Sequence, residues 1–126
     1  MRRLILLAII ASVMNTASAE LPAADSTLRH VVLLKFKNDA GANGIKAVED
    51  AFKVLPSKIN QIKGFEWGTN SSPENLNDGL THCFFVSFDS EKGRDEYLVH
   101  PAHKEFVEVL KPVLDKVVVL DYWSRK

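Results

Sequence analysis

From Leu28 to Lys37 the side chains alternate: His30, Val32, Leu34 and Phe36 share one parity, and Arg29, Val31, Leu33, Lys35 and Lys37 the other. Alternation rich in β-branched and aromatic residues predicts a strand. The second parity is also apolar in its middle, which predicts a strand covered on both faces. The cluster from Asn38 to Gly44 reads as a turn. In the segment Ile45 to Ile59, Ile45, Val48, Phe52 and Leu55 recur at spacings of three and four, the period of a helix. Pro56 should kink or end that helix near Leu55, with a further turn to Ile62 and Gly64 as its C-cap. Phe65 to Thr69 is a short extended piece with its aromatics on one parity. Asn70 to Leu80 is rich in turn formers and reads as a surface loop. Thr81 to Asp89 then alternates His82, Phe84, Val86 and Phe88 against Thr81, Cys83, Phe85 and Ser87, a second strong strand.

Ser90 can cap a helix, with Gly93 at the third helical position, and the residue before Pro101 is pushed out of the helical region. One helix therefore ends near Val99 and another starts at Pro101. In the latter, Phe106, Val109 and Leu110 stand at helical spacing and Pro112 weakens the end. Val117 to Trp123 is the last strand. The order β-α-β, twice over in about 100 residues, predicts an α+β ferredoxin-like fold: a four-stranded antiparallel sheet with helices on one face. The strands carry apolar residues of both parities (Val31 and Leu33, Cys83 and Phe85, Val117 and Val119). The face without helices should then expose an apolar patch, which a second copy in a symmetric homodimer would cover.

The first nineteen residues stand outside this fold. Arg2 and Arg3, the apolar run Leu4 to Val13 and Ala17-Ser18-Ala19 form the three regions of a secretory signal, and the run is too short to span a bilayer. Cleavage after Ala19 leaves 107 of the 126 residues: a lead-in over 20–27 and one domain over 28–123, in a secreted or periplasmic protein. Without Arg2 and Arg3, 14 basic residues face 16 acidic ones, a net charge of −2. That balance argues against a nucleic-acid partner and gives no attraction to anionic membranes. Cys83 is the only cysteine, so no intrachain disulfide forms, and its aromatic neighbours mark it as a buried small hydrophobe. Asn70-Ser71-Ser72 fits a glycosylation acceptor, which matters only in a eukaryotic secretory pathway.

Candidate chemistry concentrates in Tyr97-Leu98-Val99-His100-Pro101-Ala102-His103, a phenol and two imidazoles in seven residues, together with His30 and His82. His30 and His82 share parity with the apolar positions of their strands and so face the layer between sheet and helices. An imidazole can remove an acidic proton at neutral pH, and a phenol can donate to a developing enolate oxygen. Leu34, Phe84, Phe88 and Phe106 would wall a mostly hydrophobic ligand. Each histidine also has a structural reading: His100 at the helix junction, His30 and His82 finishing strand ends. His100-x-x-His103 has near-ligand spacing, but Pro101 breaks the helical face and no cysteine or carboxylate cluster completes a metal shell. Glycine-rich phosphate loops and nucleophilic serine motifs are missing.

The chain from Leu28 to Tyr122 resembles the stress-responsive A/B barrel family, the dimeric α/β barrel domains. The resemblance rests on Arg29 to Lys37, Gly79-Leu80-Thr81-His82, Phe88-Asp89-Ser90, the Tyr97 to His103 motif and the closing Asp121-Tyr122. It implies two four-stranded sheets facing each other across a dimer. It also implies a likeness to plant polyketide cyclases, members that close a linear polyketide by intramolecular aldol condensation. By position their catalytic pair falls on Tyr97 as oxyanion donor and His103 as base, with His30 and His82 in the same pocket. The signal sequence departs from those intracellular enzymes, so their substrate does not carry over. Two expectations follow: an exported homodimer binding a small apolar or polyketide-like ligand, or a cofactor-free acid–base enzyme of the polyketide cyclase type.

Overall fold

The computed structural model describes residues 26–125; the expected signal sequence and most of the lead-in lie outside them. The strands are Leu28–Phe36 (β1), Gly64–Thr69 (β2), His82–Phe88 (β3) and Leu114–Trp123 (β4). The helices are Gly41–Lys53 (α1), Leu55–Lys58 (α2), Glu91–Val99 (α3) and Pro101–Leu110 (α4), followed by a 3-10 turn over Lys111–Val113. The strands form one antiparallel sheet in the order β2-β3-β1-β4. This is the expected ferredoxin-like α+β fold. Among the described residues no helix is long and apolar enough to cross a membrane.

The alternation of β1 shows directly in its burial: Leu28, His30, Val32, Leu34 and Phe36 are buried, and the four residues between them are partly exposed. Because opposed residues in an antiparallel ladder point to the same side, β3 adds His82, Phe84, Val86 and Phe88 to that face. Val48 and Phe52 of α1, Leu55, Ile59 and Ile62 beyond it, and Ala102, Phe106 and Leu110 of α4 close over it. Phe52 lies parallel to Phe84, with ring centroids 4.2 Å apart, and 4.6 Å from Phe106. The core is thus an aromatic stack under the helices.

Three local expectations are corrected. The first helix begins at Gly41, not Ile45: the opening turn of a helix leaves its N–H groups unbonded, so turn-forming residues are tolerated there. Gly44 belongs to it for a packing reason, since a Cβ there would lie 3.1 Å from Val113 Cγ1. Gly64 is not a C-cap but the first residue of β2, opposite Ser87. Val117 and Val119 do not lie on the uncovered face; opposite Leu34 and Val32, they point to the helix side. They remain 44% and 52% exposed because β4 is an edge strand that the helices do not cover. The apolar residues of the open face are Val31, Leu33, Cys83, Phe85, Val118, Leu120 and Tyr122. At the start of β1, Thr27 is tied to β4: its N–H donates to Ser124 Oγ at 2.9 Å and its carbonyl accepts from Ser124 N at 2.9 Å.

Candidate functional site

Two adjoining helices bring Tyr97 and His103 together. Ser90 Oγ accepts from Gly93 N at 3.0 Å and starts α3, as its spacing predicts. At the other end His100 leaves the helical conformation, and its Nδ1 accepts from Ala102 N at 3.0 Å. His100 is therefore the cap of α4, with Pro101 in the first turn where its missing N–H costs nothing. The bend at His100-Pro101 lets the rings of Tyr97 and His103 meet at 4.6 Å between centroids.

His30 reaches the same place from β1. Its ring stands 5.6 Å from Tyr97, edge to face, and 6.2 Å from Phe88. Phe88 packs on Tyr97 at 5.1 Å, and Phe106 lies 6.3 Å from His103. Directly across the β1–β4 ladder, Asp121 Oδ1 lies 2.6 Å from His30 Nδ1, and Asp121 Oδ2 accepts from Arg94 Nη1 at 3.1 Å. Arg94 also donates through Nε to Asp95 at 3.0 Å. A carboxylate at Nδ1 orients the ring and holds a proton on that nitrogen.

The surroundings set complementary roles. Burial, and next the charge of Asp121, push the Tyr97 phenol well above its ordinary range, so it stays protonated and can only donate or accept hydrogen bonds. Burial, with His30 pushing the same way and the Leu98 backbone opposing, lowers His103 below the usual imidazole value. His103 is thus neutral, with a free lone pair, at neutral pH. A neutral imidazole beside a phenol donor can take a proton from a carbon acid while the phenol steadies the enolate oxygen.

The structure does not bring all the expected residues together. His82 stands opposite Leu34, four residues along β1 from His30, which is about 13 Å at strand rise. Parity places the two histidines on one face, but β1 and β3 run in opposite directions, so these strand starts lie at opposite ends of the sheet. His82 is instead held by Glu49 Oε2 at 3.3 Å and Thr81 Oγ1 at 2.8 Å, against Phe36 and Trp67. Leu34 and Phe84 lie in the packed core, whereas Phe88 and Phe106 stand next to Tyr97 and His103 respectively. The sequence pattern does not mark Asp121 or Arg94 as members of this cluster. The one signal for Asp121 is a carboxylate of inward parity inside the apolar run of β4. Among the described residues no group of three or more His, Cys, Asp or Glu is placed to hold a metal.

The chain is 38% identical to the stress-response A/B barrel domain-containing protein HS1 of Arabidopsis thaliana over 79% of its length and 91% of that protein. It is 31% identical to olivetolic acid cyclase of Cannabis sativa, over 79% of this chain and 98% of the cyclase. The solved structure of a hydroxynitrile lyase from Passiflora edulis matches with a TM-score of 0.74 at 26% identity, covering 79% of this chain and 94% of the lyase. Proteins that share only the fold, at 21–24% identity and TM-scores of 0.65–0.66, are described as dimeric. The model of the stress responsive A/B barrel domain matches residues 28–124, and with four-fifths of its length aligned to such relatives the chain belongs to that family.

Proposed function

We propose that this protein is an exported homodimer that takes a small, largely apolar carbonyl compound at the site formed by Tyr97, His103 and His30. The observation that carries the reading is the buried phenol set between two imidazoles, 4.6 Å and 5.6 Å from its ring. Phe88 and Phe106 supply apolar contact, and the three polar rings supply hydrogen-bonding groups for a carbonyl or enol.

A second reading is favoured by the His30–Asp121 contact: acid–base catalysis without a cofactor, in the manner of a polyketide cyclase. Orienting a ring nitrogen with a carboxylate is how enzymes hold a histidine in one tautomer for proton transfer, and two of the relatives are named as a cyclase and a lyase. In this reading His103 removes the proton, Tyr97 donates to the oxyanion, and His30 orients the substrate.

Export rests on the n-region, apolar run and Ala17-Ser18-Ala19 motif. Dimerisation is supported by the open sheet face and by β4, an edge strand that shows Val117 and Val119 on one side and Leu120 and Tyr122 on the other.

Titration of the mature protein with linear and cyclised polyketide acids, following both binding and ring closure, tests the site. Binding that weakens in His103→Ala and Tyr97→Phe, with no ring closure, supports the first reading. Ring closure that falls by about 10²–10⁴ in His103→Ala supports the second. Binding unchanged in both variants removes the site.

A further inference from the structure

The rings under the helices form a continuous row. His103 meets Phe106 at 6.3 Å between centroids, Phe106 meets Phe52 at 4.6 Å, and Phe52 lies parallel to Phe84 at 4.2 Å. Trp67 continues the row, 5.5 Å from Phe84 and 6.1 Å from His82. It begins at one histidine cluster and ends at the other, so the space between them is filled with aromatic carbon. A carbon chain lying between two rings needs about 3.5–4.0 Å to each, about 7–8 Å in all, which is wider than any of these separations. No ligand tail fits through the row as it stands.

The sequence fixes each ring in place. Phe84 is flanked in the sheet by Val32 of β1 and Trp67 of β2, and Phe52 of α1 lies over it. Phe106 follows His103 by three residues on α4, so one helix face carries both the imidazole and the ring beside it. His103 keeps partial exposure, whereas Phe106, Phe52 and Phe84 are 5%, 1% and 0% exposed. All three are packed within a single chain, on the helix side of the sheet, so a partner on the open face leaves them as they are. A close-packed core of this kind absorbs little added volume.

We propose that Phe106, backed by Phe52 and Phe84, limits the length of the ligand, and that the site takes carbonyl compounds with short alkyl ends. This rests on the reading of Tyr97, His103 and His30 as a carbonyl site, and it narrows the ligand class. A carbonyl that reaches His103 meets the Phe106 ring next, and a tail extending past that ring must force the row apart. Phe106 is then a specificity-determining residue: with its ring gone, the vacated apolar space can take up a longer tail.

Acetylacetone and its homologues, with one methyl lengthened to ethyl, propyl, butyl or hexyl, test this by calorimetry on the mature protein. In wild type, affinity should peak at a short member and be about tenfold or more weaker for the hexyl homologue than for the propyl. In Phe106→Ala the order should reverse, with the hexyl homologue at least about tenfold tighter than the propyl, since each newly buried methylene contributes about fourfold. Phe106→Leu keeps the position apolar and should move the optimum the same way by less; it decides the matter if Phe106→Ala fails to fold. Tighter binding of hexyl than propyl by wild type overturns the length limit. Variants that keep the wild-type order of affinities overturn the role of Phe106. In both of those cases weaker binding of every homologue by His103→Ala leaves the carbonyl site standing. If no homologue binds, or all bind His103→Ala as well as wild type, the carbonyl site itself fails and this inference falls with it.

Discussion

Asp121 stands directly opposite His30 in the β1–β4 ladder, and its Oδ1 lies 2.6 Å from His30 Nδ1. Its other oxygen is held by Arg94, so one carboxylate of 24% side-chain exposure joins two strands and a helix. Removing the charge while keeping the shape isolates this role. Asp121→Asn is expected to lower stability by about 1.5–3 kcal/mol, the usual worth of hydrogen bonds to a charged group, read as a lower urea midpoint at unchanged slope. Ligand affinity at the Tyr97–His103 site should fall with it, because nothing then holds the His30 proton on Nδ1.

The lowered pKa of His103 gives a signed pH dependence. The unfolded chain binds a proton at its ordinary value near 6.5, while the folded protein binds it only at lower pH. Stability is therefore full above about pH 6.5 and declines as pH falls below it. His103→Gln should flatten that part of the curve. Thermal melts between about pH 5 and 8 check it, with wild type and variant converging at the acid end.

How much of this was legible is clearest from particular residues. The alternation in β1 and β3 was readable because each second side chain faces a core that excludes water, and the signal repeats over whole strands. The His100-Pro101 break was readable because proline acts locally. The separation of His30 from His82 was not, since parity gives a face but not a height along an antiparallel pair. Nor was the Asp121–Arg94 pair, whose members stand in different elements 27 positions apart. The start of α1 at Gly41 was hidden because glycine and asparagine read as turn in either setting.

His100 provides a test of its structural role. Its Nδ1 caps α4, and loss of a cap costs about 1 kcal/mol. His100→Ala should destabilise by that amount, while His100→Asn, a stronger capping residue, should restore the stability or raise it. Denaturant midpoints of the three proteins decide; ligand binding should be unchanged in His100→Asn.

Tyr97 predicts a spectroscopic signature. The chain has two tyrosines, and Tyr97 is 1% exposed with its phenol held well above the ordinary value near 10. An ultraviolet titration should show the Tyr97 phenol ionising only as the protein unfolds in alkali. The sign agrees with linkage: a raised phenol stabilises the fold at pH below about 10 and loses that contribution above it. In Tyr97→Phe the step that accompanies unfolding should vanish.

The open face makes the last prediction. Leu120 is 61% exposed on that side of β4, so Leu120→Glu in a single chain merely replaces one solvated side chain with another, within about 0.5 kcal/mol. Between two facing sheets the same carboxylate would be taken from water without a partner, at a cost of several kcal/mol, enough to divide a dimer. Wild type should therefore show the mass of two mature chains by light scattering at micromolar concentration, and Leu120→Glu the mass of one. Val99→Glu, at a position 66% exposed on α3, should leave the mass unaltered. A single-chain mass for wild type would remove the dimer and leave β4 an edge strand without a purpose for its exposed side chains.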